Sequence, residues 1–248
     1  MRRIFLASLA TALIVASGSG VAVADTAERV ADGHHLAAGL RAARSVVSNN
    51  QPLINDPSKG DKGLTPEVFL DQLEATYTET NNQPLLPDDL SDLQRRLITT
   101  QLEAVSEVVA EHQGLINTPD MGFKGFIPAV FARLVNERFG EKIGGIASVK
   151  VTAPPDLVRN RKARPDDWET AVIEDKFLAP GWDKGAAWYE MVEGEKGPAF
   201  RMLIPEYYSA SCLSCHGEPA GEVDVTGFPK EGGQVGDLGG AISITLNE

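Results

Sequence analysis

The sequence predicts an α+β fold: a helical N-terminal half with a duplicated helix–loop–helix unit, followed by an antiparallel sheet. Three observations predict it. Apolar residues recur at helical spacing through the first half, with Leu90, Leu93, Leu97, Leu102, Val105 and Val109 the clearest series. A stretch of that half is written twice. After Gly144-Gly145 the texture changes to short β-branched segments separated by turn residues, the pattern of strands that follow a helical region.

In chain order, the first stretch is not fold. Arg2 and Arg3 precede an apolar run from Ile4 to Ala16, and Ala22-Val23-Ala24 precedes Asp25. A charged start, an apolar middle and a small-residue site form a secretory leader, so residues 1–24 are expected to be a cleaved signal peptide and the mature protein periplasmic. No second long apolar segment follows, and no integral membrane segment is expected in the mature chain.

A helix is expected from Thr26 to Asn49, weakened by Gly33 and Gly39. Residues 46–69, "VVSNNQPLINDPSKGDKGLTPEVF", align without a gap to 108–131, "VVAEHQGLINTPDMGFKGFIPAVF". About half the positions are identical, among them Gln51/Gln113, Leu53/Leu115, Asn55/Asn117, Pro57/Pro119, Lys62/Lys124 and Pro66/Pro128. In each copy a proline follows a glycine-bearing turn, which suits the first position of a helix. Helices are therefore expected over Pro66–Thr80, Asp88–Gln113 and Pro128–Phe139. The second half predicts strands at 146–152, 186–192, 199–205 and 239–246, with one helix at 165–178 opened by Pro165 and two acids. The expected organisation is a leader at 1–24, a helical region at 25–142 and a sheet domain at 143–248.

The chain is acidic, with a formal net charge of −12 over 248 residues, and removal of two leader arginines makes it more so. That argues against nucleic acid and anionic membranes and leaves room for a basic protein partner. Two cysteines are too few for a disulfide framework. Both stand in "YYSASCLSCHGEPAG" (207–221), within the long Gly-rich connection before the last strand, as Cys212-x-x-Cys215-His216.

Cys-x-x-Cys-His is the attachment signature of a c-type haem. The spacing lets two thiols meet two vinyl groups on one edge of a porphyrin while the next residue reaches the iron. The leader independently points to the compartment where such attachment occurs. Three rivals are weaker. A redox dithiol usually opens a helix, whereas Gly217 and Pro219 follow here. A structural zinc site needs four ligands, and there is no second cysteine pair. A disulfide closing so short a loop adds little stability. One covalently bound haem c is expected, held by Cys212 and Cys215, with His216 on the iron.

At this point the C-terminal hundred or so residues resemble the family catalogued as domain of unknown function 3365. The segments that carry the likeness are "VRNRKARPDDWE" (158–169), "IPEYYSASCLSCHGEP" (204–219) and "GDLGGAISITL" (236–246), with "GFKGFIPAVF" (122–131) upstream. The resemblance implies an exported single-haem domain with a PAS-like or Cache-like sheet, haem on Cys212 and Cys215, and His216 as proximal ligand. Relatives often have proline where Arg161 stands. Some carry an upstream cysteine suited to the distal side, and this chain has no third cysteine.

Candidates for the sixth iron position are His34, His35, His112, Met121, Met191 and Met202. Met121 is set apart because it replaces Lys59 of the other repeat copy in a glycine-flanked loop, although an ordinary gap-filling role is open to it. A His/Met iron would have a raised potential suited to electron transfer, a second His would lower it, and an open site would bind small ligands. Arg159 heads a basic cluster with Arg161, Lys162 and Arg164 that would pair with haem propionates or form a solvated turn. Tyr207 and Tyr208 are expected haem neighbours, and Trp168 a core residue. The expected function is one-electron transfer with a redox partner. A haem-based ligand or redox sensor working through a signalling partner is the alternative, and no carboxylate or nucleophile constellation demands an enzyme.

Overall fold

A computed structural model describes residues 19–194 and 197–247, with side chains from Asp25 onward. The leader expected over 1–24 lies outside these residues, except that the backbone of 19–24 continues the first helix. The helical half comprises α1 (Ser19–Asn49), α2 (Gln51–Ile54), α3 (Pro66–Asn81), α4 (Asp92–Glu111), α5 (Gln113–Ile116) and α6 (Pro128–Ile143). Strand β1 (Ala147–Thr152) follows. Helix α7 (Asp167–Val172) passes into a π-helical turn at Ile173–Phe177, and strands β2 (Trp188–Gly194) and β3 (Gly197–Tyr207) come next. The single-turn helix α8 (Leu213–His216) and strand β4 (Leu238–Asn247) complete the chain. Among the described residues, no helix is long and apolar enough to cross a membrane.

The local signals account for the boundaries. Pro66 and Pro128 stand in the first turns of α3 and α6, where a missing N–H costs nothing. Ser91 and Gln94 close a reciprocal capping box at the start of α4, and Asp166 with Glu169 does the same for α7. Gly33 and Gly39, expected to weaken α1, are positions of close approach instead. A Cβ at Gly33 would lie 2.5 Å from Met202 Sδ, and one at Gly39 would lie 2.4 Å from Gln101 Oε1. Missing side chains let α1 press against β3 and α4.

The sheet is antiparallel throughout, in the order β1-β4-β3-β2. Its register sets Phe200 opposite Leu246, Met202 opposite Ile244 and Ile204 opposite Ile242. These residues share one face and join Val149 against buried side chains of α1, α3, α4 and α6 in a continuous core. The alternate residues Leu203 and Ala241 face the other way, under Val172, Ile173 and Phe177. The two central strands are thus covered on both faces, and the α+β expectation is met.

The repeat becomes an interlock. Asn55 Oδ1 accepts from the Lys124 main-chain N–H at 3.0 Å, and Asn117 Oδ1 accepts from that of Lys62 at 2.9 Å. Gln51 Nε2 donates to Phe126 O, and Gln113 Nε2 to Leu64 O, both at 2.9 Å. Each copy therefore closes the other's loop, which explains why Gln and Asn recur in both. The Lys62 ammonium is buried on the carbonyls of Asp56 and Lys59, and that of Lys124 on those of Ile54 and Met121. Burial and the nearby Lys62 charge push the Lys124 ammonium below the usual lysine range.

Direction places these loops. Gly33 lies against Met202, while Arg41 and Arg44 further along α1 pair with Glu206 further along β3. Helix α1 and strand β3 therefore run the same way. The loops beyond α1 and the connection beyond β3 emerge at one end of the molecule.

Candidate haem site

Residues 208–237 leave the end of β3 and return to β4 through a narrow neck. Tyr208 N–H donates to Asp237 O at 2.9 Å, and Gly236 N–H donates to Tyr208 O at 2.8 Å. The Tyr208 ring is wedged into that neck. A Cβ at Gly239 would lie 2.2 Å from it, and one at Gly233 would lie 2.6 Å away. Only glycine leaves room at either position.

Past the neck, a 3-10 turn (Ala210–Cys212) runs into α8. Helical residues three and four apart share a face, so this winding sets Cys212, Cys215 and His216 on one side. Both cysteines are free, partly exposed thiols. The turn stops at Gly217, where a side chain would meet Leu213 O at 2.6 Å. Gly233 N–H donates to His216 O at 2.7 Å and ties the turn to the returning chain.

The His216 ring is held from behind. Its Nδ1 lies 2.9 Å from Glu231 Oε2 and 3.3 Å from Tyr208 Oη, and the two rings stack at 5.0 Å and 21°. Burial works to raise the Glu231 carboxyl, but hydrogen bonds from Arg159 and His216 outweigh it and hold the group below its usual range. An ionised carboxylate only accepts, so Nδ1 carries a proton, and in the neutral imidazole Nε2 is then the nitrogen with the lone pair. Burial, with the Glu231 charge, pushes the Tyr208 hydroxyl up to about 12, so it stays neutral.

Arg159 organises the surroundings. Its Nε and Nη2 bind both Glu231 oxygens at 2.8 and 3.0 Å. Nη1 donates to Asp224 at 2.6 Å, and Nη2 also reaches Cys215 O at 2.9 Å and Pro229 O at 3.3 Å. Asp224 is buried and further receives both the N–H and the hydroxyl of Thr226 and the N–H of Phe228. Burial opposes its ionisation, yet these donors drive its carboxyl far below the usual range. Main-chain pairs between Gly221 and Lys230, and between Asp224 and Phe228, form the short hairpin that presents Asp224.

The residues present suit the group that the motif implies. Two thiols and an imidazole nitrogen without a hydrogen-bond partner among the described residues stand on one face of one turn. Val223, Val225, Phe228 and Val235 of the same connection are exposed apolar side chains. Such surface is what a porphyrin face would cover. Among the described residues, no group of three or more His, Cys, Asp or Glu is arranged to hold a bare metal ion.

The structure thus brings Tyr208 and Arg159 to the motif. Tyr207, at the end of β3, has the Lys184 ammonium 5.6 Å from its ring centre, and its buried hydroxyl has no hydrogen-bond partner among the described residues. Trp168 lies against the second core cluster, where its ring meets the Arg201 guanidinium and its Nε1 donates to Glu190 at 2.7 Å. Met202 is fully buried in the main core, His35 Nε2 is bonded to Leu85 O, and His112 Nδ1 is bonded to Val108 O at the end of α4. His34 and Met191 are exposed on α1 and β2. Met121 is exposed in the loop before α6, at the motif's end of the molecule but outside its hydrogen-bonded cluster. The sequence reading missed Glu231 and Asp224. The paired glycines at 232–233 and 239–240 were the readable sign that backbone passes close to a ring there.

Comparison of the chain with curated proteins and with solved structures found no match. A family model described as Tll0287-like (Tll0287) matches residues 34–247, which takes in the interlocked helices, the sheet and the motif connection together. The chain belongs to the Tll0287-like family.

Proposed function

We propose that the protein is a periplasmic, single-haem c-type cytochrome-like protein that transfers one electron at a time. The observation that carries this reading is the single turn on which Cys212, Cys215 and His216 share a face, with His216 Nδ1 held by Glu231 so that Nε2 is left free. Each thiol would add across a vinyl group, the sulfur forming a C–S bond and its hydrogen passing to the vinyl's other carbon. His216 would supply Nε2 as the proximal ligand. Tyr208 holds that ring flat against its own, and the Arg159 clamp keeps the turn from shifting, so little moves when the charge at the iron changes. The bound group supplies the reversible one-electron couple; the protein supplies ligation, burial and electrostatics.

The test is a visible spectrum of the protein made with c-type maturation factors, recorded oxidised, reduced, and reduced under CO. Covalent haem with a low-spin spectrum unmoved by CO supports electron transfer. A spectrum that shifts readily with CO would replace that role with a small-ligand sensor on the same haem. Absence of covalent haem would sink both and leave a thiol–disulfide function for Cys212 and Cys215.

A further inference from the structure

We infer that Glu231 is a positioning residue for His216 and that its negative charge holds the iron toward the ferric state. The inference rests on the haem reading above and goes beyond it, because Cys-x-x-Cys-His itself says nothing about what stands behind the imidazole.

The partner of His216 Nδ1 at 2.9 Å is the Glu231 carboxylate, whose two oxygens both accept from the Arg159 guanidinium, a pairing that keeps it ionised. A charge-assisted hydrogen bond of this kind fixes the tautomer, orients the ring and makes the far nitrogen a stronger donor. A main-chain carbonyl would orient the ring equally well but carries no net charge. Arg159 also binds Glu231, and its guanidinium alone would cancel that charge. It does not act alone, because Asp224 sits on the same guanidinium at 2.6 Å with its side chain fully shielded from solvent. Two carboxylates around one guanidinium leave one net negative charge behind the ring. The ferric iron bears one more positive charge than the ferrous, so this arrangement favours it.

The purpose of the neighbours follows. Arg159 holds both Glu231 oxygens, so the carboxylate cannot rotate away from Nδ1. Asp224 keeps Arg159 from neutralising what it holds. Tyr208, stacked on the ring, blocks rotation of His216 itself.

The test is redox titration of the haem-loaded full-length protein, comparing the wild type with Glu231→Gln, Glu231→Asp and Asp224→Asn. Absorption spectra of both oxidation states would confirm that axial ligation is unchanged. Gln keeps an acceptor for Nδ1 and loses the charge. It should move the ferric/ferrous ratio at a fixed potential at least tenfold toward ferrous, an upward shift of about 59 mV for one electron. Glu231→Asp should return most of that shift. Asp224→Asn, which leaves Glu231 in place, should move the ratio the same way by a smaller factor, and carries the test if Glu231→Gln does not fold. Haem-loaded variants with the wild-type potential would overturn the inference and leave the haem reading standing. A wild type without covalent haem would overturn both.

Discussion

The duplicated loops and the motif connection emerge from the same end of the molecule, yet they are held in opposite ways. The loops around α2 and α5 are tied by neutral amide side chains to main-chain groups, in pairs that repeat across the duplication. Their buried ammonium groups are matched by main-chain carbonyls rather than by acids. The connection through α8 is tied by ionised groups converging on one guanidinium. Neutral hydrogen bonds specify shape and do little to the field around them. Ionised groups specify shape as well, but they also set a potential at whatever they surround. The loops thus hold two cations in main-chain carbonyls, whereas the connection gathers a net negative charge behind His216.

Four sets of measurements test this contrast. The largest effect belongs to the motif: Cys212→Ala together with Cys215→Ala should abolish covalent haem, read by mass and by haem stain, while far-UV circular dichroism keeps the helical signal of a bundle that these residues do not enter. Persistence of thioether-linked haem would refute the site. Next is Gly239→Ala, whose Cβ would stand 2.2 Å from the Tyr208 ring. It should cost about 1–3 kcal/mol by overpacking, measured by denaturant unfolding, and should also lower haem incorporation because the ring backs His216. An unchanged midpoint would mean that the neck relaxes freely.

Asn55→Ala and Asn117→Ala each orphan one main-chain N–H of the other copy. Each should cost about 1–3 kcal/mol, and the two costs should be similar. A double-mutant cycle should show coupling, since each copy closes the other's loop. Additive costs would argue that the loops are held independently. The smallest effect should come from acid. The Asp224 carboxyl is depressed when folded, so its contribution is fully present above its unfolded value of about 3.9 and is lost as the pH falls below it. Hydrogen exchange comparing pH 7 with pH 3, corrected for intrinsic rates, should show the amides of 221–233 losing protection ahead of those held by Asn55 and Asn117. Asp224→Asn should weaken that dependence and leave the part that the depressed Glu231 carboxyl contributes, and equal loss in both regions would erase the contrast.

Much of this molecule was legible in its residues. Periodicity, Pro66, Pro128 and the capping acids located the helices because those signals act within a few residues of where they are written. The turn residues around 199–205 located a strand, though not that Leu203 would be covered on the face opposite Phe200, Met202 and Ile204. The repeat announced a duplication but not its meaning. Only the fold shows that Gln51 and Asn55, bonded to each other, also serve the other copy. The motif named three candidate site residues as a haem-attachment signature, and the fold adds the helical turn that puts positions three and four apart on one face.

Tertiary structure decided what stands behind His216. Glu231 lies 15 residues beyond it, and Arg159 lies 56 residues before Cys215, whose carbonyl it reaches. No local rule links such positions. They meet because the chain after β1 and the chain returning to β4 converge beside α8. A charge in a glycine-rich stretch reads as a solvated turn until the fold supplies its partner. Composition and spacing marked out the Cys212–His216 motif; long-range contacts decided its electrostatic surroundings, because an electric field sums over neighbours in space.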